Sequence, residues 1–207
     1  MINYKNTLRY ENLPFEKYLK LGGYSHSFLK SQKNGISPYF KVTDKVRLGS
    51  LVDALLTQDD RFDFNDPLAQ KAISIAKQIK DTFGGMIELF KPQISYTSTL
   101  EYSGLSMKVT GRLDWELPKF AVIDLKVTGA KTDKEFAAYI DHMGYKNQLW
   151  NYAKMAGLNK AYIVAYSVPA GRCLSVVSIP ITERNEFWEN AIFEFGTVWE
   201  KLAGYQL

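Results

Sequence analysis

The stretch that decides the fold of this chain is Gly111-Arg-Leu-Asp114-Trp-Glu-Leu-Pro-Lys-Phe-Ala-Val-Ile-Asp124-Leu-Lys126-Val-Thr128. Apolar residues on both sides of residues 117–119 predict two neighbouring strands, and the Leu-Pro-Lys sequence at these positions predicts the turn that joins them. Such a hairpin brings Asp114 near Asp124 and Lys126. Because residues i and i+2 of a strand share a face, Asp124 and Lys126 are expected to project together.

Two carboxylates and a lysine placed in this way form a minimal apparatus for hydrolysing a phosphodiester. The carboxylates can hold a hard cation, and a lysine beside them can orient water or help to deprotonate it. A second interpretation remains open, in which Asp124 and Lys126 form a solvated ion pair at the end of a strand and contribute little. The rest of the sequence has to decide between the two.

The composition indicates a single folded domain spanning residues 1–207. Hydrophobic residues make up 46% of the chain and aromatic residues 14%, which excludes a disordered segment. The formal net charge of +4 permits binding to nucleic acid but does not demonstrate it.

Cysteine usage and the absence of long apolar runs narrow the class of protein further. The one cysteine, Cys173, excludes a disulfide framework and a four-cysteine zinc or iron–sulfur site. No apolar run approaches the roughly 18 residues of a membrane span, and the first residues lack the apolar segment of a signal peptide. We therefore expect no membrane association and a cytoplasmic location, in a bacterium or a phage-infected bacterial cell.

Hydrophobic periodicity and turn residues predict a succession of helices and strands. Residues 1–23 are expected to form an arm that packs on the body of the protein or on a partner. Helices are predicted at about 46–57, 67–83, 133–157 and 182–203, and strands near 93–101, 105–115, 120–128, 160–167 and 173–180. The core, residues 24–166, thus contains the order α–β–β–β–α–β.

This order and the short motifs along it resemble the PD-(D/E)XK nuclease superfamily, and within it the RecE-like and RecB-like exonuclease domains of the phage type. Asp114 matches the first acid of that superfamily, Asp124 the second and Lys126 the lysine. Further similar segments, in the same order as in those nucleases, are Tyr24-Ser-His-Ser27-Phe-Leu-Lys30, Ser37-Pro38-Tyr39-Phe40, Leu48-Gly49-Ser50-Leu-Val-Asp53-Ala-Leu-Leu56, Glu101 and Tyr145-Lys-Asn-Gln148-Leu-Trp-Asn-Tyr152. Together their order is more specific than any one of them.

The resemblance implies an α/β fold with the three-layer αβββαβ core of these nucleases, a mixed central sheet and extra N- and C-terminal helices. It also implies a Mg²⁺ site, at which Mn²⁺ can substitute, held by Asp114, Asp124 and the backbone carbonyl of Leu125. Lys126 would position the attacking water. The single cysteine excludes the relatives that carry a four-cysteine cluster.

Position 53 departs from the pattern of the family. The glycine that opens the first core helix, here Gly49, is usually followed one turn later by a histidine that reaches the metal, and this chain has Asp53 there. Aspartate is a good oxygen ligand for Mg²⁺ or Mn²⁺, so Asp53 is predicted to be a further ligand. The alternative is that Asp53 is a solvated helix residue and that the site holds a single metal ion.

A predicted helix carries three candidate substrate-binding residues. Gln148 and Tyr152 are four residues apart and therefore share a helix face, which the resemblance directs into the active-site cleft. Tyr145 is expected to stack or to form a hydrogen bond near the same cleft. The alternative is a helix that leaves Gln148 exposed and packs its apolar residues inward.

Three further candidates are Glu101, Arg112 and Ser27. Glu101 is expected either to orient a water or a neighbouring ligand, or to be an exposed acid at a strand end. Arg112 is expected to reach a phosphate or to form a surface salt bridge. The resemblance implies that Ser27 lies on the side of the protein that binds the substrate.

The leading hypothesis is a Mg²⁺-dependent nuclease that degrades linear duplex DNA from its ends, leaving single strands for an annealing protein in phage-type recombination. Processive relatives form rings around DNA, so a ring-shaped homo-oligomer is expected with this hypothesis. An endonuclease of a restriction, repair or mobile-element system has the same core. The third hypothesis is a DNA-binding module of this fold that has lost catalysis.

Overall fold

The computed structural model describes residues 1–33, 43–58 and 62–198, which form one mixed β-sheet with helices on both faces. The strands are β1 (Asn3–Tyr10), β2 (Lys91–Tyr102), β3 (Leu105–Leu117), β4 (Ala121–Thr128), β5 (Lys160–Ser167), β6 (Arg172–Cys173), β7 (Val177–Pro180) and β8 (Thr197–Val198). The helices are α1 (Phe15–Leu19), α2 (His26–Lys33), α3 (Asp44–Thr57), α4 (Ala69–Phe83), a 3₁₀ helix (Gly84–Leu89), α5 (Asp133–Met143), α6 (Tyr145–Ala156) and α7 (Glu186–Phe195). None of the helices in the described ranges is long and apolar enough to cross a bilayer.

The sheet confirms the predicted α/β fold, with a mixed central sheet and additional helices towards both ends of the chain. Its strand order is β1-β2-β3-β4-β5-β6, while β7 pairs with β5 and β8 pairs with β3. β4 and β5 are parallel, and α5 and α6 form the crossover between them. The strands that precede β4 pair as antiparallel neighbours.

Two apolar cores on opposite faces of the sheet give the fold its three layers. α6 and α7 cover one face, where Trp150 packs with strand residues such as Leu113. α3 and α4 cover the other face, where Val52 packs with strand residues such as Trp115. Each of these large side chains contributes about 1.5–3 kcal/mol when it is fully removed from water, so the two cores hold the sheet rigidly between the helices.

β3 and β4 form the predicted hairpin, and their pairing stops a few residues from the turn. Its turn places Lys119 in the left-handed region, with a φ of 62°, and Phe120 N–H donates to the Leu117 carbonyl at 3.0 Å. From this turn the pairing of β3 with β4 extends to Trp115 and Ile123. Further along the same edge, β3 instead pairs with the Tyr24 backbone and with β8. A gap therefore separates β3 from β4 where Asp114 and Asp124 lie.

A kink in β2 and β3 lies beside this gap. In the described sheet Pro92 pairs with Trp115 and Ile94 pairs with Leu113, but the intervening pair is missing and Gln93 has a φ of 51°. Strand alternation would place residues 113 and 115 on one face. They instead enter opposite cores, so the faces of β3 reverse at Asp114.

The N-terminal region differs from the prediction. Residues 3–10, predicted as part of an arm, form β1, an edge strand that pairs antiparallel with β2 from Asn3↔Glu101 to Tyr10↔Ser95. Most of its side chains are exposed, and a shift of register between Lys5 and Leu8 accompanies a left-handed Asn6. An exposed strand with such an irregularity has no apolar alternation by which the sequence could reveal it.

The long helix predicted at 133–157 is two helices. Gly144 ends α5 with a φ of 71°, and its N–H donates to the Asp141 and Ile140 carbonyls. The Gly144 carbonyl then accepts from the N–H groups of Asn147 and Gln148 and starts α6. Glycine adopts this left-handed conformation without strain, so it breaks the helix although the apolar periodicity continues.

The C-terminal helix, predicted at about 182–203, is shorter. Asn185 caps α7 by accepting from Trp188 N–H at 3.3 Å, and the helix ends at Phe195 before Gly196 leads into β8. The Thr182 hydroxyl donates to the Arg184 carbonyl and stabilises a turn before the helix. The predictions for residues 199–203 and for the segment 37–40 lie outside the described residues.

Close packing of α6 on β3 at Gly111 gives a test of the fold. A Cβ at position 111 would lie 2.6 Å from side-chain atoms of Met155 and Tyr152. We predict that Gly111→Ala lowers the free energy of unfolding by about 1–3 kcal/mol, because the core has to expand. Urea unfolding measures this, with Gly85→Ala as the control, since nothing lies within 4 Å of a Cβ there. A Gly111→Ala variant as stable as the wild type would contradict this packing.

Candidate active site

Helix α3 carries Asp53 to the kinked end of β2. Thr43 caps the helix by accepting from Val46 N–H at 3.4 Å, and a Cβ at Gly49 would lie 3.9 Å from the Cβ of Val127 on β4. The helix therefore approaches the sheet closely at Gly49, and one turn later Asp53 is half-buried. Its Oδ2 accepts from Gln93 Nε2–H at 3.3 Å.

Asp114 bridges the two strands where their pairing ends. Its Oδ2 accepts from Leu125 N–H at 2.6 Å, so a carboxylate takes the place of a backbone acceptor. Removal from water raises the pKa of Asp114, and the charges of Asp53 and Asp124 raise it further. Asp53 and Asp124 therefore each lie close enough to Asp114 to repel its charge.

Asp124 and Lys126 form an ion pair that is largely buried. Lys126 Nζ lies 2.5 Å from Asp124 Oδ2, and the two side chains are 20% and 3% exposed, respectively. Burial alone would lower the pKa of Lys126, but the carboxylates of Asp124 and Asp114 outweigh it and raise the pKa. The lysine is thus a stable cation in a protected position, unlike the solvated pair of the alternative interpretation.

Helix α6 brings its polar face to the same place. Lys126 Nζ lies 4.8 Å from the centre of the Tyr145 ring, within the range of a cation–π interaction. The half-buried Gln148 donates from Nε2 to the Tyr152 hydroxyl at 3.0 Å. Burial raises the pKa of Tyr152, so its hydroxyl stays protonated. These side chains border the carboxylates and the lysine on the α6 side of the sheet.

Glu101 and Ser27 are not brought to the carboxylates. Glu101 lies near the opposite end of β2 from Gln93, about 26 Å along the strand at about 3.3 Å per residue. There it forms an ion pair with Lys5 at 2.6 Å and ties β1 to β2. This position at a strand end agrees with the alternative interpretation, and the predicted catalytic role of Glu101 has no support from the geometry. Ser27 is exposed on α2, and its role in binding substrate stays a prediction.

Arg112 lies close to the site but is engaged within the protein. Its NH1 donates to the Leu13 carbonyl at 2.7 Å, and its guanidinium lies 5.7 Å from the ring centres of Phe15 and Tyr18. Its Nε donates to Gln93 Oε1. These contacts hold the segment around α1 against β3, and the predicted phosphate contact of Arg112 stays a prediction.

Gln93 is a member of the site that sequence reasoning missed. It is 6% exposed and contacts both Asp53 and Arg112. An isolated glutamine in an apolar strand gives no chemical signal, and the left-handed backbone that directs it depends on pairing with β3. No motif in the sequence could have identified it.

The donor set matches the chemistry of a hard divalent cation. Carboxylate oxygens of Asp53, Asp114 and Asp124 are the ligand type that Mg²⁺ and Mn²⁺ prefer, and their mutual repulsion favours a cation between them. Among residues 1–33, 43–58 and 62–198, however, no group of three or more His, Cys, Asp or Glu side chains is already arranged around one point. Binding would therefore require these carboxylates, of which Asp53 and Asp114 are half-buried, to shift towards one point.

Repulsion among the carboxylates predicts that Asp114 destabilises the fold at neutral pH when no cation is bound. In the unfolded chain an aspartate ionises with a pKa of about 3.9, whereas the folded protein raises the pKa of Asp114. Stability is therefore lost as the pH rises from about 4 through the folded pKa. Asp114→Asn has no charge, so we expect it to be more stable than the wild type at pH 7 and equally stable at about pH 3.

Denaturant unfolding in EDTA at several pH values measures the effect of Asp114→Asn. The control is Asp81→Asn, which removes an exposed carboxylate from α4 and is expected to change stability little at any pH. An Asp114→Asn variant that is less stable than the wild type at pH 7 would show that Asp53 and Asp124 do not repel the charge of Asp114.

Comparison with known proteins supports the fold. No protein-family model and no curated protein sequence matches the chain. Among solved structures, the "Putative exonuclease" of Eubacterium rectale is similar, with a TM-score of 0.53 and 20% identity over 79% of this chain and 67% of that one. A phage related exonuclease from Haemophilus somnus 129PT matches with a TM-score of 0.42 and 19% identity, over 84% of this chain and 91% of that one. The similarity to the Eubacterium rectale protein shows a shared fold.

Proposed function

We propose that this protein is a divalent-cation-dependent deoxyribonuclease that degrades linear duplex DNA from its ends. The observation that carries the proposal is the meeting of Asp53, Asp114 and Asp124 with Lys126 at the gap between β3 and β4. Negatively charged carboxylates lie near one another in a partly desolvated environment, which lowers the stability of the folded protein. Such an arrangement is typical of a functional site. The likeness in fold to a protein named an exonuclease adds support for nuclease chemistry.

The carboxylates and the Leu125 carbonyl are proposed to hold Mg²⁺ or Mn²⁺. When bound, the cation would polarise the scissile phosphate and offset the charge that develops on it. The Leu125 N–H fixes one oxygen of Asp114 and so limits its rotation. Asp124 belongs to a strand paired on its other edge with β5, which holds its backbone in place.

Lys126 is proposed to orient the attacking water and to attract the phosphate. Its raised pKa keeps it protonated, so in this state it donates hydrogen bonds and does not accept a proton. The ring of Tyr145 covers the ammonium group on one side and restricts its position. The half-buried amide of Gln148 then offers a further donor to the DNA backbone from α6, and the buried Tyr152 hydroxyl, which accepts a hydrogen bond from this amide, orients it.

The proposal extends to the assembly of the protein, to a partner protein and to the salt dependence of DNA binding. Action from an end requires that intact duplex cannot enter the gap, and a ring-shaped homo-oligomer would impose this. The single strands produced would pass to an annealing protein, as in phage-type recombination. Because the contacts would be mostly to phosphates, binding should weaken steeply with salt.

Incubation with linear and closed-circular duplex DNA tests the proposal, each with Mg²⁺, Mn²⁺ or EDTA. We expect linear DNA to be degraded from its ends with either cation, circles to be spared, and EDTA to abolish cleavage. Asp124→Ala and Lys126→Ala should each lower the rate by about 100-fold or more, because each removes a charge that acts on the phosphate or the water. Glu101→Gln, which alters an ion-paired carboxylate at the other end of β2, should cleave at the wild-type rate.

Two outcomes would replace the proposal. Rapid nicking or linearisation of supercoiled circles under the same conditions would indicate an endonuclease of a restriction, repair or mobile-element system. Tight DNA binding without cleavage, with either cation, would indicate a binding module that has lost catalysis.

A further inference from the structure

Gln93 has a side-chain amide whose direction is fixed by its partners. Its Nε2 donates to Asp53 Oδ2 at 3.3 Å and to Thr57 Oγ1 at 2.7 Å, while its Oε1 accepts from Arg112 Nε. A guanidinium only donates hydrogen bonds, so the amide oxygen has to face Arg112 and the amide nitrogen has to face α3. The amide therefore presents a donor to the Asp53 carboxylate in one defined orientation.

We propose that Gln93 is a positioning residue that holds the Asp53 carboxylate towards Asp114 for the binding of a divalent cation. The inference rests on the proposed function, because it concerns the same cation site. Gln93 is neither an acid nor a lysine, so it lies outside the set of residues by which the sequence predicts the cation site.

On the side of α3, Thr57 holds the amide of Gln93 in place. The Thr57 hydroxyl donates to the Asp53 carbonyl at 2.7 Å, one turn back along α3, and accepts from Gln93. Gln93 thus contacts both the side chain of Asp53 and the hydroxyl bound to its backbone. Because Gln93 is buried and Thr57 is 3% exposed, water competes little for these hydrogen bonds.

On the other side, Arg112 connects the amide of Gln93 to the segment around α1. Arg112 joins Gln93 to the Leu13 carbonyl and to the rings of Phe15 and Tyr18. The left-handed backbone of Gln93 directs its side chain out of the regular alternation of β2. The orientation of Asp53 therefore depends on the kink of β2 and on the packing of α1.

A neutral donor suits this position better than a charged residue would. A lysine or arginine at position 93 would neutralise Asp53 and oppose the approach of a cation. A glutamate would lose both donors and add a carboxylate that repels Asp53. An amide orients the carboxylate through a hydrogen bond without adding a charge of its own.

Binding of Mn²⁺ to the protein without DNA tests the proposal, measured by the electron paramagnetic resonance signal of free Mn²⁺. Gln93→Leu has a similar volume and lacks the donors, so we expect it to bind Mn²⁺ about 10–100-fold more weakly than the wild type. The matched control is Gln78→Leu on α4. Gln78 also forms a side-chain hydrogen bond, which it accepts from the Tyr166 hydroxyl at 3.0 Å, so this variant loses a glutamine hydrogen bond and should still bind Mn²⁺ like the wild type. Gln93→Met, with a more flexible side chain, serves if the leucine variant fails to fold.

An Asp53→Asn background separates positioning from a general structural effect. If Gln93 acts through Asp53, its substitution should weaken Mn²⁺ binding in the wild type and have no further effect in this background. Equal weakening in both backgrounds, or unchanged binding by Gln93→Leu and Gln93→Met, would overturn the inference alone. Failure of the wild-type protein to bind Mn²⁺ would overturn the cation site and the inference with it.

Discussion

The hydrogen bond from Leu125 N–H to Asp114 Oδ2 is the interaction on which the arrangement of the site depends. β3 and β4 are paired from the turn as far as Trp115 and Ile123, and the next acceptor for β4 is this carboxylate. The strands can therefore separate without leaving the Leu125 amide unsatisfied, which would otherwise cost about 1–3 kcal/mol. Separation brings Asp114 within electrostatic reach of Asp124 on β4 and of Asp53 on α3. The kink at Gln93 reverses the faces of β3 at the same residue and so directs Asp114 into the gap.

This arrangement opposes stability and is tolerated because the rest of the fold is well packed. The charges of Asp53 and Asp124 both raise the pKa of Asp114, and among these groups Lys126 supplies the balancing positive charge. Removing one partner of such a buried pair leaves an uncompensated charge, whereas a bound divalent cation would satisfy all of them. The two apolar cores flank the site and hold α3 and α6 on either side of it. The unfavourable charge repulsion thus lies at the gap, where a bound cation would offset it.

The sequence predicted the parts of this structure that follow from local patterns. The turn at residues 117–119 and the strand alternation of β4 fix the hairpin, and apolar periodicity fixes α3 and the face of α6 that carries Gln148 and Tyr152. Two features were missed for different reasons. β1 forms because it pairs with β2, which lies far along the chain, and the sequence shows no sign of this pairing. The break at Gly144 is local, but the apolar periodicity continues through it and hides it. Glu101 was included among the candidates because it matches a glutamate of the similar nucleases, whereas the strand pairing places it near the end of β2 that is far from Gln93.

Asp53, Asp114 and Asp124 are proposed to share one divalent cation. The most direct test is a crystal structure of the protein soaked with Mn²⁺, with anomalous diffraction data collected above the manganese absorption edge. We expect an anomalous peak about 2.0–2.4 Å from oxygens of at least two of these carboxylates, a range set by the usual distances of hard cations to oxygen ligands. An anomalous map without a peak at the gap between β3 and β4, at a Mn²⁺ concentration that supports cleavage, would contradict it.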